Sequence, residues 1–215
     1  MATVAASSLA YMVLWWDGSR RAFSDAAEWF VGTAALVGDR WDRPGLGEWD
    51  VRALVGHTSR ALVTVETYLA RPALAVEVAS ATGYFRATRA AAADPAVAAR
   101  GRDSGIALGS DPAAAVAQIV AGVVALVDTC DGTELVMTIA GGMRLTDYLP
   151  TRTFELAVHT ADLATVLGVP PDVPATAAAQ ALCIVADLAL TAGLAGPLLL
   201  AATGRPGLPA GFSVL

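Results

Sequence analysis

The sequence predicts an all-α fold: a four-helix bundle with additional C-terminal helices and one short β-hairpin. Three observations lead there. Apolar residues recur at three- and four-residue spacing along most of the 215 residues, the period of amphipathic helices. Cap and stop signals, among them Asp50, Asp111-Pro112 and Gly168 followed by Pro170-Pro171, divide the chain at bundle-helix lengths. Strand-like alternation is confined to one place, Thr133 to Ile139.

Taken in order, Phe23, Ala27, Phe30, Ala34 and Val37 share a helical face, so one long or broken helix is expected from Leu9 to Gly38. Trp41 to Glu48, with Pro44, Gly45 and Gly47, reads as a connector. Asp50 is the expected N-cap of a second helix, Val51 to Ala70, with Trp49 and Leu54 as its hydrophobic staple. Leu54, His57, Ala61, Val65 and Tyr68 form its inner face, and Arg52, Ser59 and Glu66 an outer one. A third helical region covers 76–92 and extends toward Arg102. Pro112 opens a helix that turns Val116, Ile119, Val120, Val123 and Val127 inward. Leu135, Met137 and Ile139 then alternate with Glu134, Val136 and Thr138 ahead of Gly141-Gly142, a short strand. Thr146 or Asp147 is expected to cap the next helix, with Pro150 in its first turn, where a missing N–H is tolerated. That helix stops at Gly168, and the last long one begins near Pro174. No internal repeat and no long linker divides the chain. Residues 1–215 are therefore expected to form a single domain, with 174–215 as a C-terminal helical extension.

Composition narrows the function. At 55% hydrophobic and 16% charged, the chain is not disordered. The net charge is -6, the 14 basic residues are all arginine, and they form no cluster, which argues against a nucleic-acid partner. Cys130 and Cys183 are isolated, so neither a disulfide framework nor a thiolate zinc knuckle is available. The apolar run Leu9 to Trp16 lacks the basic start and small-residue cleavage site of a signal peptide. Ala175 to Ala202 carries only Asp187 as a charge, but Gln180, Gly193, Gly196 and Pro197 interrupt it. It reads as a buried helix followed by a short one rather than a membrane span. A cytoplasmic location without membrane contact is expected, as monomer or homodimer.

The chain has two histidines, His57 and His159, each on the apolar side of a helix. Glu155 precedes His159 by one helical turn, so the two share a face. A carboxylate and an imidazole so held, with His57 from another helix, can converge on one divalent metal. Two nitrogens and one oxygen suit zinc and leave a position open, as in catalytic sites. The spacing alone equally describes a helix-face ion pair, and Arg152, three residues before Glu155, is a competing partner for the carboxylate.

Two segments carry a family resemblance. Trp41-Asp42-Arg43-Pro44, Gly47-Glu48-Trp49-Asp50-Val51-Arg52-Ala53-Leu54 and His57 make up the first. The second is Arg152-Thr153-Phe154-Glu155-Leu156-Ala157-Val158-His159-Thr160-Ala161-Asp162-Leu163. They resemble the Trp-x-x-Pro…Gly-Trp-x-Val-Arg-x-Leu-x-x-His and Arg-x-x-Glu-x-x-x-His-x-x-Asp-Leu segments of the mycothiol-dependent maleylpyruvate isomerases, a branch of the DinB-like helical bundles. The likeness is best over residues 24–168. It implies a DinB-like bundle in which His57, Glu155 and His159 bind the metal, with mycothiol as the thiol cosubstrate. The isomerases also carry a C-terminal sterol-carrier-like domain, which this chain is expected to lack, and the Leu9 to Trp16 segment differs from the family's start.

Charge explains why such a site takes a thiol. Zinc with one carboxylate and two neutral imidazoles leaves about +1, which a thiolate neutralises. Metal coordination also depresses a thiol's pKa. Neither cysteine of the chain has an activating basic neighbour, so the nucleophile is expected to be a cofactor. The expected function is a metal-dependent isomerase or S-transferase that adds or transfers mycothiol to a small electrophile. The alternatives are a non-catalytic metal- or small-molecule-binding protein and a metal-dependent hydrolase with water in the open position. Asp162 either orients a ligand imidazole or is a solvated charge. Arg60 and Arg152 are candidates for holding substrate carboxylates, with a surface ion pair as the alternative. Trp41, Trp49 and Tyr148 read as connector or core packing, though Tyr148 remains a candidate site residue. A pocket is expected around His57, with Leu54, Ala61 and Tyr68 on one side and Arg152 and Tyr148 on the other.

Overall fold

A computed structural model describes residues 15–92, 94–205 and 207–215. Its helices are α1 (Trp16–Ala35), α2 (Val51–Leu69), α3 (Ala81–Ala92), α4 (Ala96–Ala107), α5 (Pro112–Asp128), α6 (Leu145–Leu167), α7 (Ala175–Thr191) and α8 (Ala195–Ala202). A hairpin, β1 (Leu135–Thr138) and β2 (Gly141–Arg144), separates α5 from α6. The all-α expectation with one short hairpin holds.

α1 packs on both α5 and α6, and α2 packs on the same two helices, closing a four-helix ring. Phe23, Phe30, Leu54, Leu62, Leu145, Tyr148, Leu149, Leu156 and Leu163 fill its core. Four of the described helices lie outside the ring, the last of them, α8, packed on α7. α4 lies on α2, α3 on α6 and α7, and α7 on α1 and α6. The antiparallel hairpin pairs Leu135 with Arg144 and Thr138 with Gly141. It is tied to the end of α2 by Met137 N–H donating to Arg71 O at 2.8 Å. Gly142 is required there, because a Cβ would stand 2.0 Å from Ala75 O.

Several local expectations change. The helix expected from Leu9 is described only from Trp16, and the earlier part lies outside the described residues. The third helical region is two helices, α3 and α4, broken at Pro95, where the ring removes the N–H needed to continue a helix. Ser59, expected on an outer face, is buried, because α4 covers that side of α2. Its hydroxyl donates to Val55 O at 2.8 Å. Neither Thr146 nor Asp147 caps α6. β2 runs straight into the helix, and Leu145 and Thr146 donate their N–H groups to Glu134 O and Gly132 O at 2.8 and 3.0 Å. This backbone docking replaces a side-chain cap and starts the helix early, so Pro150 stands inside α6 rather than in its first turn. Cys183 is half-buried.

No single helix among the described residues is long and apolar enough to cross a membrane. The one consecutive pair with enough apolar length, α4 and α5, is bent by 98°.

Candidate metal centre

Tyr148, Arg152, Glu155, His159 and Asp162 follow at alternating intervals of four and three residues along α6, so they form one stripe. α2 packs against α6 and contributes His57. Asp50 fixes the start of α2 by accepting the Ala53 N–H at 2.7 Å, which sets the phase that carries His57 to α6. One ligand atom from each of His57, Glu155 and His159 lies within 4.8 Å of the other two. The His57 and His159 rings meet edge to face with centroids 4.8 Å apart. His159 Nε2 stands 3.3 Å from Glu155 Oε2, and its Nδ1 stands 3.1 Å from Asp162 Oδ2.

The electrostatics are those of a site that wants a cation. Burial, the neighbouring His159 and the arginines Arg60 and Arg152 push His57 down to about 4, against the pull of Glu155. His57 is therefore neutral, and its Nδ1 is buried with no hydrogen-bond partner. Burial works to raise the Glu155 carboxyl, but the His159 hydrogen bond and the Arg152 charge overcome it and hold the group at about 2. Burial also works against charge on His159. Hydrogen bonds from its ring to Asp162 and Glu155 outweigh it and lift the group to about 9. With Nδ1–H donated to Asp162, a neutral His159 would aim the Nε2 lone pair at the Glu155 carboxylate. Two acceptors then face each other unless a proton or a metal cation lies between them. The donor set and the orphaned His57 nitrogen thus fit a divalent ion, which these three side chains could hold as N, N, O ligands.

Two arginines flank the cluster, and neither forms an ion pair among the described residues. Arg60 is half-buried one turn beyond His57. Arg152 is only 7% exposed. The surface ion pair considered for Arg152 is therefore absent, and so is its pairing with Glu155. Its Nε–H donates to Thr151 Oγ1 at 2.9 Å, and its guanidinium lies 5.1 Å from the Tyr84 ring centre and 5.0 Å from that of Tyr148. Burial pushes the Tyr84 phenol up, and the adjacent Arg152 restrains that shift. Desolvating a guanidinium costs on the order of several kcal/mol, and a desolvated cation–π contact returns about 2 kcal/mol. The two rings offset much of the cost without supplying a counter-charge.

Tyr148 is fully buried, and its hydroxyl donates to Thr64 Oγ1 at 3.0 Å. Its ring packs against Tyr68 with centroids 5.4 Å apart, joining two residues of the expected pocket wall. Leu54, Ala61, Tyr68 and Tyr148 all belong to the buried core cluster. Two neighbours of the cluster escaped the sequence reading. Trp49 stacks on His57 with centroids 4.4 Å apart and is anchored by its Nε1–H to Ala98 O at 3.0 Å. Tyr84 comes from α3. The hydrophobic-staple reading of Trp49 held the only available signal: an aromatic immediately before the cap of the helix that carries His57.

Residues 25–164 match the family model for the mycothiol maleylpyruvate isomerase N-terminal domain, well over half of the chain. The chain belongs to that family. No curated protein and no solved structure matches it. The match to the mycothiol maleylpyruvate isomerase N-terminal domain runs from within α1 to within α6 and takes in His57, Glu155, His159, Arg152 and Asp162. It ends before α7.

Proposed function

We propose that the chain is a cytoplasmic, metal-dependent enzyme that activates a low-molecular-weight thiol for addition or transfer to a small electrophile. His57, Glu155 and His159 hold the metal, zinc by their chemistry, and mycothiol is the thiol by family membership. The convergence of three donor atoms from α2 and α6, one imidazole with a buried nitrogen that nothing else satisfies, carries the reading. A divalent ion there supplies the positive charge that keeps a neighbouring thiol deprotonated near neutral pH.

The side chains do the rest. Asp162 accepts from His159 Nδ1 and so fixes the tautomer with Nε2 toward Glu155. Trp49 covers the His57 ring and keeps it dry and neutral. The chain's own thiols do not compete for the role of nucleophile. Cys130 sits at the end of α5, and burial together with Glu134 pushes its thiol up, away from thiolate. Two unpaired cysteines also suit a reducing compartment.

Elemental analysis of the purified, zinc-loaded protein tests the metal. About one ion per chain is expected, lost in His57→Ala and His159→Ala. Equal, low metal content in wild type and variants defeats the reading. Cobalt substitution tests the thiol: adding mycothiol should raise a sulfur-to-metal absorption band. Indifference to thiol combined with ester or amide hydrolysis would mark a hydrolase instead.

A further inference from the structure

We infer that the segment 207–215 is a strap. It holds α3 against α7, and through α3 it holds Tyr84 over Arg152, so that its release frees one wall of the site without unfolding the bundle. The inference goes beyond the proposed function and needs neither the metal nor the thiol. α3 is poorly able to stand alone. Its 12 residues fall at the length where an isolated helix is marginal in water. Residues 70–80 set it off from α2, and the break at Pro95 sets it off from α4. Its inner side is held by Tyr84 against Tyr148 and Phe85 against Phe154, with ring centres 5.7 and 5.0 Å apart. The Thr82 hydroxyl adds a bond to Asp187 of α7 at 2.6 Å.

Its far end is tied by chain 126 positions away. Arg89, in the last turn of α3, donates from Nη2 to Leu215 O at 2.8 Å. Val214 packs against the core cluster. The segment is shaped by bonds of its own: Phe212 N–H donates to Pro209 O at 3.0 Å, and Leu215 N–H to Ser213 Oγ at 3.1 Å. Val214 and Leu215 thus meet Phe85 and Arg89 of α3 and Leu188 and Thr191 of α7 around a cavity of about 190 Å³. That space is roomy enough for water, so packing does not seal the seam. Arg89 is exposed and Leu215 is 46% exposed, so water replaces their bond at little cost. The contact therefore biases α3 toward the bundle yet remains releasable. Elements held this way open as local units while a buried core stays closed. The consequence falls on Arg152. Of the two rings against its guanidinium, Tyr148 belongs to α6 itself, and Tyr84 is brought by α3. Release of α3 uncovers that side of the guanidinium.

Amide hydrogen exchange, followed by NMR on the full chain, tests the strap in wild type, Arg89→Gln and Val214→Ser. Arg86→Gln is the control, because Arg86 lies one turn earlier on α3 and makes no hydrogen bond among the described residues. Amides of Ala81–Ala92 should exchange roughly five- to tenfold faster in both strap variants. Those of α1, α2, α5 and α6 should keep their wild-type rates, and Arg86→Gln should match wild type throughout. The Arg152 Nε–H resonance, which senses the Tyr84 ring, should move in the same two variants. Val214→Ser leaves the sequence of α3 untouched, so its effect separates the strap from any change in the helix itself. Wild-type protection of α3 in both variants overturns the inference. So does faster exchange spread evenly over the four-helix ring, or an effect of Arg89→Gln that Arg86→Gln reproduces and Val214→Ser does not. Loss of protection in α3 with the Arg152 resonance unmoved breaks the link from the strap to the site and overturns it as well.

Discussion

Asp162 lies one turn past His159 and accepts from its Nδ1 at 3.1 Å, while the opposite nitrogen faces Glu155. Its side chain is about a third exposed, so it carries little of the fold, and its work is orientation. Asp162→Asn should leave the urea midpoint nearly unchanged but weaken zinc binding by roughly ten- to a hundredfold, read by competition with a chromophoric chelator. Unaltered affinity would return Asp162 to the status of a solvated helix charge. At this scale the sequence was informative because the chemistry was scarce: two histidines in the whole chain, one with a carboxylate a turn away. Trp49 and Tyr84 were illegible for the opposite reason. Aromatic residues pack in every core, and what places these two against His57 and Arg152 is the docking of a connector and of α3, which no local pattern encodes.

Between elements, the closest approach near the site is that of α2 to α4. A Cβ on Gly56 would stand 2.1 Å from Gly105 N, and one on Gly105 would stand 2.7 Å from Arg52 O. Both are backbone atoms, so no side-chain rotation relieves the clash. In an open helix, glycine to alanine stabilises by about 1 kcal/mol. At Gly56 the overpacking cost of about 1–3 kcal/mol or more should win. Gly56→Ala is therefore expected to lower unfolding free energy, measured by urea titration. Because Gly56 adjoins His57 and α4 anchors Trp49 through Ala98 O, zinc affinity should fall with it. A stabilised variant would mean that α4 is free to move off α2. The sequence showed glycines in both helices but not that they meet, since contact between helices depends on their relative rotation. The start of α6 is hidden from local pattern for a similar reason: the groups that satisfy its first N–H groups, Glu134 O and Gly132 O, belong to the chain ahead of the hairpin rather than to a side chain at the helix start.

For the whole molecule, the ring of α1, α2, α5 and α6 follows from amphipathic periodicity, and its apolar faces are the ones the pattern turned inward. The role of α7 is less evident from sequence, because an alanine-rich stretch with one charge suits a surface helix, a core helix or a membrane span. The structure packs it on α1 and α6, with Ala177, Ile184, Leu188 and Ala189 buried. Polar contacts fix its register. Gln180 donates to Ser19 Oγ at 2.8 Å, Thr176 to Asp25, and Thr82 of α3 to Asp187 at 2.6 Å. The family match stops short of this helix, which raises the question of whether the matched part stands alone. The magnitudes answer against it. Burying one isoleucine or leucine is worth about 1.5–3 kcal/mol, and α7 contributes two of them besides its buried alanines and hydrogen bonds, set against a total stability of about 5–15 kcal/mol for a domain. Removing it also strips cover from α1 and α6, the second of which carries Glu155 and His159. A chain ending at Gly168 should therefore be largely unfolded or aggregated by circular dichroism and size-exclusion chromatography, and should not take up zinc. A chain ending at Arg205 should melt within a few degrees of the full chain and keep its zinc, because the described residues it loses are mostly exposed. A soluble, zinc-loaded protein ending at Gly168 would show instead that the four-helix ring is self-sufficient and that α7 serves association alone.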